Sequence, residues 1–171
     1  MTKSILTVAL TVATLLSLFA PASVTAQGVT PRCIEGVYTL EEYKKDGQVF
    51  MPPQISGRLV FLNGAVVFIF HDRTQPSAEI NYAGFGRYTV NAASFAYHYD
   101  DMSIYTHSDT GISLSKQLPW EGMRLFTRVT EQDGLHLRNS ETQSDFFCSA
   151  DELKYSLLSG DYRKYRRIGS N

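Results

Sequence analysis

The feature that most constrains the fold of this 171-residue chain is the segment "GRLVFLNGAVVFIFHD", from Gly57 to Asp72. Two runs rich in β-branched and aromatic residues flank Asn63-Gly64, a pair that readily adopts the positive φ angles of a tight hairpin turn. Short alternating or apolar runs separated by turn residues continue from Gly36 to about Ser140. Because almost no stretch there has helical periodicity, the sequence predicts an all-β fold.

Other turn signals predict further strands. Asp46-Gly47 and Asp133-Gly134 each predict a hairpin. The segment from Glu79 to Asp101 predicts two long strands joined near Asn91 to Ala93. We interpret the more polar segment from Ser103 to Trp120 as a strand end followed by a long loop.

The segment from Ser149 to Gly160 carries the pattern of one short C-terminal helix. Ser149 stands three residues before Glu152, as in a capping box, and leucines and a final glycine follow. We interpret the basic and aromatic tail after it as a last strand or a docked segment. Eight strands, or slightly more, and one helix favour a closed, antiparallel, up-and-down barrel, because closure removes exposed sheet edges. A β-sandwich is the alternative architecture.

The first 26 residues have the three-part layout of a cleaved secretory signal peptide. A positive charge at Lys3 precedes an apolar run from Ile5 to Phe19, and small residues end at Ala26. Cleavage there leaves residues 27–171, which suit a single domain with its own core. No later segment is long and apolar enough to span a membrane. We therefore expect an exported protein, either periplasmic or secreted.

Charge and cysteine content exclude some partners and predict one covalent link. The sequence has 16 basic and 17 acidic residues, and loss of Lys3 leaves a net charge near −2. This balance gives no general attraction to nucleic acid, so we expect no nucleic-acid partner. Two cysteines, Cys33 and Cys148, in an exported chain predict a disulfide bond. No CxxC spacing is present, and we expect neither a metal nor a cofactor.

The segment "SFAYHYDD", from Ser94 to Asp101, offers two alternative walls for the barrel interior. Side chains alternate along a strand, so one face carries Phe95, Tyr97, Tyr99 and Asp101. The other face carries Ala96, His98 and Asp100. Tyrosines facing inward would suit a hydrophobic or aromatic ligand. His98 facing inward, oriented by Asp100, would suit a catalytic acid or base.

Several motifs between Ile34 and Leu137 occur in an order that is typical of one barrel family. They are Gly36-x-Tyr38, Gly57 with the hairpin after it, "YAGFGRYTV" from Tyr82 to Val90, Tyr97-His98, and "PWEGMRLF" at residues 119–126. In this order they resemble the bacterial and fungal lipocalin-like domain family, a group of calycin-type barrels. The resemblance implies a barrel fold, with a C-terminal helix packed on it and a disulfide tying that end down. It also favours His98 facing inward.

The resemblance further implies that one arginine closes a barrel end by stacking on Tyr38. That arginine is either Arg124 or Arg128, and the same side chain is a candidate for holding a ligand carboxylate. Trp120 is either a lid over the barrel mouth or an anchor at a strand end. The full set of candidate ligand-binding residues is Tyr38, Phe68, Tyr88, Tyr97, Tyr99, Trp120, Arg124 and Arg128.

The leading hypothesis is a monomeric barrel that binds a small hydrophobic or aromatic molecule in its interior. One alternative is a cofactor-free isomerase, cyclase or lyase with His98 as acid or base and Asp100 as its orienting partner. Another is an envelope interaction module that acts through its outer face, including the tail from Arg163 to Arg167.

Overall fold

The computed structural model describes residues 33–131 and 134–169, and the predicted signal peptide lies outside them. These described residues form twelve β-strands and no helix. In chain order the strands are β1 (Gly36–Lys45), β2 (Gln48–Phe50), β3 (Ile55–Leu62), β4 (Ala65–Gln75), β5 (Ala78–Val90), β6 (Ser94–Ser108), β7 (Gly111–Lys116), β8 (Arg124–Glu131), β9 (Leu135–Asn139), β10 (Ser144–Cys148), β11 (Glu152–Ser156) and β12 (Tyr162–Ile168).

Ten of the described strands close into an antiparallel barrel. Its strand order is β1-β3-β4-β5-β6-β8-β9-β10-β11-β12, so each strand pairs with its neighbours along the chain. The last strand pairs back onto the first, with Tyr38 opposite Arg167, and this pairing closes the barrel. Strand β2 pairs with the end of β1, and β7 pairs with the second half of β6. The predicted all-β, up-and-down barrel is therefore confirmed, with ten strands in place of about eight.

The turns that the sequence predicted most clearly are present. Asn63 and Gly64 adopt φ angles of 51° and 80° between β3 and β4, and Asp46 and Gly47 adopt 51° and 78° between β1 and β2. The two predicted long strands are β5 and β6, joined over residues 91–93. These elements depend on residues close together in sequence, which is why local patterns identify them.

The predicted C-terminal helix is wrong. The Glu152 amide does donate a hydrogen bond to Ser149 Oγ, at 3.2 Å, as in a capping box. The chain then enters β11, where Leu153 is fully buried opposite Tyr165. Strand β11 fills the gap between β10 and β12, and backbone pairing on both sides outweighs the local helix signal.

The long loop predicted from Ser103 to Trp120 is also wrong over most of its length. Strand β6 continues to Ser108, and the chain returns along it as β7. All six residues of β7 are exposed, so this hairpin adds little to the core. The residues that follow β7 do matter for the interior, because Pro119 and Trp120 line the cavity inside the barrel.

Strand β1 contains an irregularity that matters for the interior. Leu40 lies opposite Tyr165, and the next interior pair is Tyr43 opposite Arg163. Glu41 has no partner across this pairing, so it forms a bulge between the two pairs. After the bulge, Tyr43 rather than Glu42 belongs to the inner face, where its ring packs edge-on against Phe70 at 5.4 Å.

The predicted disulfide between Cys33 and Cys148 is present and joins residues 115 positions apart. In the chain-entropy model a closed loop of this length stabilises the fold by about 4 to 5 kcal/mol. Such a bond is typical of an oxidising, exported environment. The described residues contain no helix that is long and apolar enough to cross a membrane.

Aromatic side chains dominate the core beside the disulfide. Phe95 is fully buried, and its ring lies 5.3 Å from both Phe61 and Phe146 in edge-on contacts. Phe126 is also fully buried and packs edge-on against Phe146 at 4.9 Å. Edge-to-face contacts of this kind add to the stabilisation from burial.

Candidate functional site

Arg167 closes the barrel end near the disulfide. Its guanidinium lies 4.9 Å from the centre of the Tyr38 ring and donates hydrogen bonds to the Tyr38 hydroxyl and the Cys33 carbonyl, both at 2.6 Å. A methyl group at Gly36 would come within 2.2 Å of Arg167 Nη1, so glycine leaves room for this cation. The expectation that Arg124 or Arg128 stacks on Tyr38 is therefore wrong.

Two tyrosines belong to this closed end. Burial raises the pKa of Tyr38 to about 12, and the charge of Arg167 only partly opposes that effect. Burial also raises the pKa of Tyr88 to about 12, together with the hydrogen bond that its hydroxyl donates to the Glu35 carboxylate at 2.6 Å. Both hydroxyls are therefore neutral donors near neutral pH. They hold the chain segment before β1 against the barrel.

The other part of the interior contains a cavity of about 140 Å³. This is close to the roughly 150 Å³ that accommodates benzene in a protein core. Its walls are largely apolar or aromatic, and none of them carries a carboxylate. The lining residues are Leu59, Phe61, Phe68, Tyr82, Tyr97, Tyr99, Met102, Pro119, Trp120, Phe146, Tyr155, Arg163 and Tyr165.

The tyrosine face of "SFAYHYDD" is the one that faces inward. Tyr97 and Tyr99 are 4% and 8% exposed and line the cavity. Their rings lie 5.3 and 5.4 Å from the ring of Trp120. Burial raises the pKa of both tyrosines well above the usual value for a phenol. They therefore remain neutral hydroxyl groups in the cavity wall.

The opposite face carries the two candidate catalytic residues. His98 Nε2 lies 3.5 Å from Asp100 Oδ1, and the same carboxylate oxygen accepts a hydrogen bond from Arg87 at 3.1 Å. Arg87 is largely exposed, so this small network lies on the outside of the barrel. Neither His98 nor Asp100 lines the cavity. No group of three metal-binding side chains (His, Cys, Asp or Glu) is found among the described residues.

A bulge at Asp100 changes the expected alternation. Tyr99 pairs with Gly86 and Asp101 pairs with Phe85, which leaves Asp100 without a partner on β5. The expectation that Asp101 shares the face of Tyr97 and Tyr99 is therefore wrong. Met102 takes the next inner position, and Asp101 forms an ion pair with Lys116 at 3.2 Å.

Arg163 in β12 is the site residue that sequence reasoning missed. Its guanidinium lies between 5.1 and 5.7 Å from the ring centres of Tyr43, Phe68 and Phe70. Its Nε atom is buried and has no hydrogen-bond partner among the described residues. Alternation of side chains along β12 would have predicted its inward position, because Arg163 shares a face with the buried Tyr165.

The outer face of β12 behaves differently. Lys164 forms an ion pair with Glu152 at 3.1 Å, and Arg166 forms one with Glu41. The basic tail therefore forms a last strand, one of its two predicted forms, and alternate side chains lie inside and outside the barrel, so it is not the wholly outer surface of the interaction-module alternative.

Arg163 keeps its positive charge in this setting. Burial is the largest single influence and lowers its pKa, but the surrounding tyrosines Tyr165, Tyr43, Tyr99 and Tyr155 together raise it above the ordinary value. The buried carboxylate of Asp72 does not pair with Arg163 and accepts hydrogen bonds from the Thr74 amide and hydroxyl, at 2.9 and 2.7 Å.

Trp120 and Arg124 form a stacked pair beside the cavity. The guanidinium of Arg124 lies 3.8 Å from the centre of the Trp120 ring, and its Nη1 lies 3.5 Å from the Tyr155 hydroxyl. Trp120 Nε1 is buried and, within the described part of the chain, has no hydrogen-bond partner. Arg128 lies elsewhere and donates a hydrogen bond to the Ala92 carbonyl at 3.3 Å.

The predicted ligand-binding residues thus divide between different parts of the barrel. Those that line the cavity are Phe68, Tyr97, Tyr99 and Trp120. Arg124 reaches the cavity through its contacts with Trp120 and Tyr155. Tyr38 and Tyr88 belong to the closed end, and Arg128 bonds a turn between strands.

No family model, curated protein or solved structure matches the chain.

Proposed function

We propose that this protein binds a small hydrophobic or aromatic molecule inside the barrel. The observation that carries the proposal is the cavity of about 140 Å³ between Tyr97, Tyr99 and Trp120. Aromatic walls of this kind offer a ligand both dispersion contacts and stacking. The size suits one aromatic ring with a short substituent.

The two ends of the barrel differ in a way that supports a binding role. One end is closed by the hydrogen bonds of Arg167 and by the disulfide bond between Cys33 and Cys148. At the cavity, the wall includes Pro119 and Trp120, which follow the exposed β7 and do not belong to a barrel strand. Segments outside the sheet move more easily than barrel strands, so this segment is the proposed route of entry.

The proposal includes the setting in which binding takes place. We propose an exported, monomeric, lipocalin-like protein that is periplasmic or secreted. The disulfide and the apolar leader sequence support export. The closed meander of antiparallel strands supports the family resemblance.

The chain contains one tryptophan, so the fluorescence of Trp120 reports directly on the cavity. The disulfide-bonded protein is titrated with toluene, phenol and naphthalene. We expect saturable changes with the single-ring compounds and weaker binding of naphthalene, which exceeds the cavity. If no compound gives a saturable change, and no small molecule accompanies the protein in native mass spectrometry, the proposal is wrong.

Matched variants locate the binding site. Leu59→Phe adds volume to the cavity wall, whereas Leu125→Phe adds the same volume at an exposed outer position. We expect the first variant to weaken phenol binding by about tenfold and the second to leave it unchanged. Equal affinities in both variants would place the ligand outside the barrel. Far-UV circular dichroism verifies that both variants are folded.

A further inference from the structure

Two side chains that line the same cavity each carry a buried donor without an acceptor. Arg163 Nε and Trp120 Nε1 are the buried side-chain nitrogen or oxygen atoms that lack a hydrogen-bond partner within residues 33–131 and 134–169. Both side chains line the cavity. Buried polar groups in folded proteins almost always have partners, so an unpaired donor calls for an explanation. Two such donors at one cavity indicate that the cavity receives an acceptor.

The charge distribution gives the same indication. The cavity wall contains the cation of Arg163 and no carboxylate. Several arginines on the outer face have acidic partners, for example Arg87 with Asp100 and Arg138 with Asp145. The rings around Arg163 stabilise its charge through cation–π contacts, but they accept no conventional hydrogen bond from Nε. Arg163 is partly buried and its Nε is fully buried, and a cation that loses water without gaining an anion is costly, so an anion is the partner that suits this cavity.

The neighbouring polar groups suit an anion as well. Arg124 is a second cation beside the cavity, with its guanidinium 3.8 Å from the centre of the Trp120 ring and its Nη1 3.5 Å from the Tyr155 hydroxyl. Tyr97 and Tyr99 stay protonated because burial raises the pKa of each. Neutral hydroxyls next to a guanidinium can donate to a carboxylate and do not repel it.

We propose, building on the proposed binding function, that the ligand is a small organic anion, an aromatic or short hydrocarbon monocarboxylate. Its carboxylate pairs with Arg163, and its apolar part lies among the rings of Tyr97, Tyr99 and Trp120. An arginine suits this task because its fork of N–H groups matches both oxygens of a carboxylate. The cavity volume of about 140 Å³ limits the apolar part to about one ring.

The test uses benzoate and benzamide, which have similar shapes but differ in charge. Affinities are measured by isothermal titration and by Trp120 fluorescence at neutral pH and constant ionic strength. We expect benzoate to bind at least about tenfold more tightly than benzamide. Equal affinities would overturn the inference about charge and leave the binding function intact. Absence of binding by benzoate, benzamide and the neutral compounds above would overturn both.

Variants separate the cation in the cavity from cations on the surface. Arg163→Met removes the charge and keeps an unbranched side chain of similar length, and Arg166→Met does the same at the exposed neighbouring position. We expect only the first variant to lose the preference for benzoate, with benzamide affinity changed less than about threefold. A benzoate preference that persists in Arg163→Met would overturn the proposal.

The stability of the free protein provides an independent measurement. If Arg163 stabilises the fold, its replacement lowers the free energy of unfolding. If it is an unpaired buried cation, its replacement does not. We therefore expect the urea midpoint of Arg163→Met to equal or exceed that of the unsubstituted protein without ligand. A midpoint that falls clearly below it would indicate a structural role for Arg163. If the variant does not fold, the benzoate-to-benzamide ratio of the unsubstituted protein still decides the proposal.

Discussion

Arg163 and Arg167 share the inner face of β12 but differ in their partners. The guanidinium of Arg167 donates to the carbonyls of Cys33 and Ala150 and to the hydroxyl of Tyr38. Its hydrogen-bonding capacity is used inside the protein, which makes it a structural residue. Arg163 instead packs against aromatic rings, and its Nε has no hydrogen-bond partner among the described residues, so this N–H group is available to a ligand.

Replacement of Arg167 by lysine should therefore destabilise the fold strongly. Lysine cannot reach several carbonyls at once from one planar group, so buried acceptors lose their donors. We expect Arg167→Lys to lower the free energy of unfolding by about 2 to 4 kcal/mol in urea titrations followed by far-UV circular dichroism. Arg166→Lys changes the exposed ion pair with Glu41 and should cost less than about 1 kcal/mol. Equal losses in the two variants would contradict the assigned role.

The alternation in β12 was visible in the sequence, and it would have identified Arg163. Once Tyr165 is recognised as a core residue, positions 163 and 167 must face the same way. The partner of Tyr38 was harder to predict, because it depends on pairing between strands 129 residues apart. Alternation along the strand correctly places Tyr97 and Tyr99 on the same face. Which of the two faces lies inside depends on how the whole barrel closes, and the local sequence does not show that.

At the level of elements, bulges decide which side chains enter the barrel. The bulge at Asp100 moves Asp101 outward and Met102 inward for the remainder of β6. Gly86 makes the bulge possible, because a methyl group there would come within 1.9 Å of the His98 carbonyl oxygen. The sequence carried no local sign of this shift, since nothing in "SFAYHYDD" differs from a regular strand.

Deletion of Asp100 tests the bulge directly. Tyr99 already lies opposite Gly86 and Asp101 opposite Phe85, so removal of Asp100 leaves a regular strand with the same pairing and with Met102 still facing inward. We expect the deletion to cost less than about 2 kcal/mol, because no side chain changes face. Asp100→Asn keeps the chain length and removes only part of the exposed network with Arg87, so it should cost less than about 1 kcal/mol. A loss of more than about 3 kcal/mol on deletion would argue against the bulge, because in a regular strand the deletion would turn the second half of β6 over and bury a carboxylate.

The error over residues 149–160 illustrates the limits of local patterns. The capping contact between Ser149 and Glu152 exists, and the leucine spacing suits a helix. The strand forms because β10 and β12, the strands before and after it, both offer it backbone partners that the pattern within residues 149–160 does not reveal. Local signals therefore predicted the hairpins and the all-β class but missed the strands that complete the barrel.

For the whole molecule, the buried tyrosines predict a loss of stability in alkali. The pKa values of Tyr38 and Tyr165 are raised to about 12 by burial, the largest cause in each case. In the unfolded chain a tyrosine ionises near pH 10, so between pH 10 and 12 the unfolded state releases protons that the folded state retains. Stability is unaffected well below pH 10 and falls above it, by at most about 1.4 kcal/mol per pH unit for each tyrosine.

Urea titrations at intervals between pH 7 and 11.5 measure this dependence. Tyr165→Phe removes one contributing group, so the decline above pH 10 should become shallower in that variant. Tyr105→Phe removes an exposed hydroxyl on the outer face and should leave the decline unchanged. A stability that stays constant up to pH 11.5 would mean that these hydroxyls are not buried.

The small bulge at Glu41 has a consequence for the molecule as a whole. Without it, regular alternation from Leu40 would turn the carboxylate of Glu42 toward Arg163, and an internal ion pair would neutralise the interior. With it, Glu42 accepts a hydrogen bond from the hydroxyl of Tyr162 on the outer side, and Tyr43 takes the inner place. The bulge thus keeps the carboxylate of Glu42 out of the barrel interior and leaves the inner place beside Arg163 to an aromatic ring.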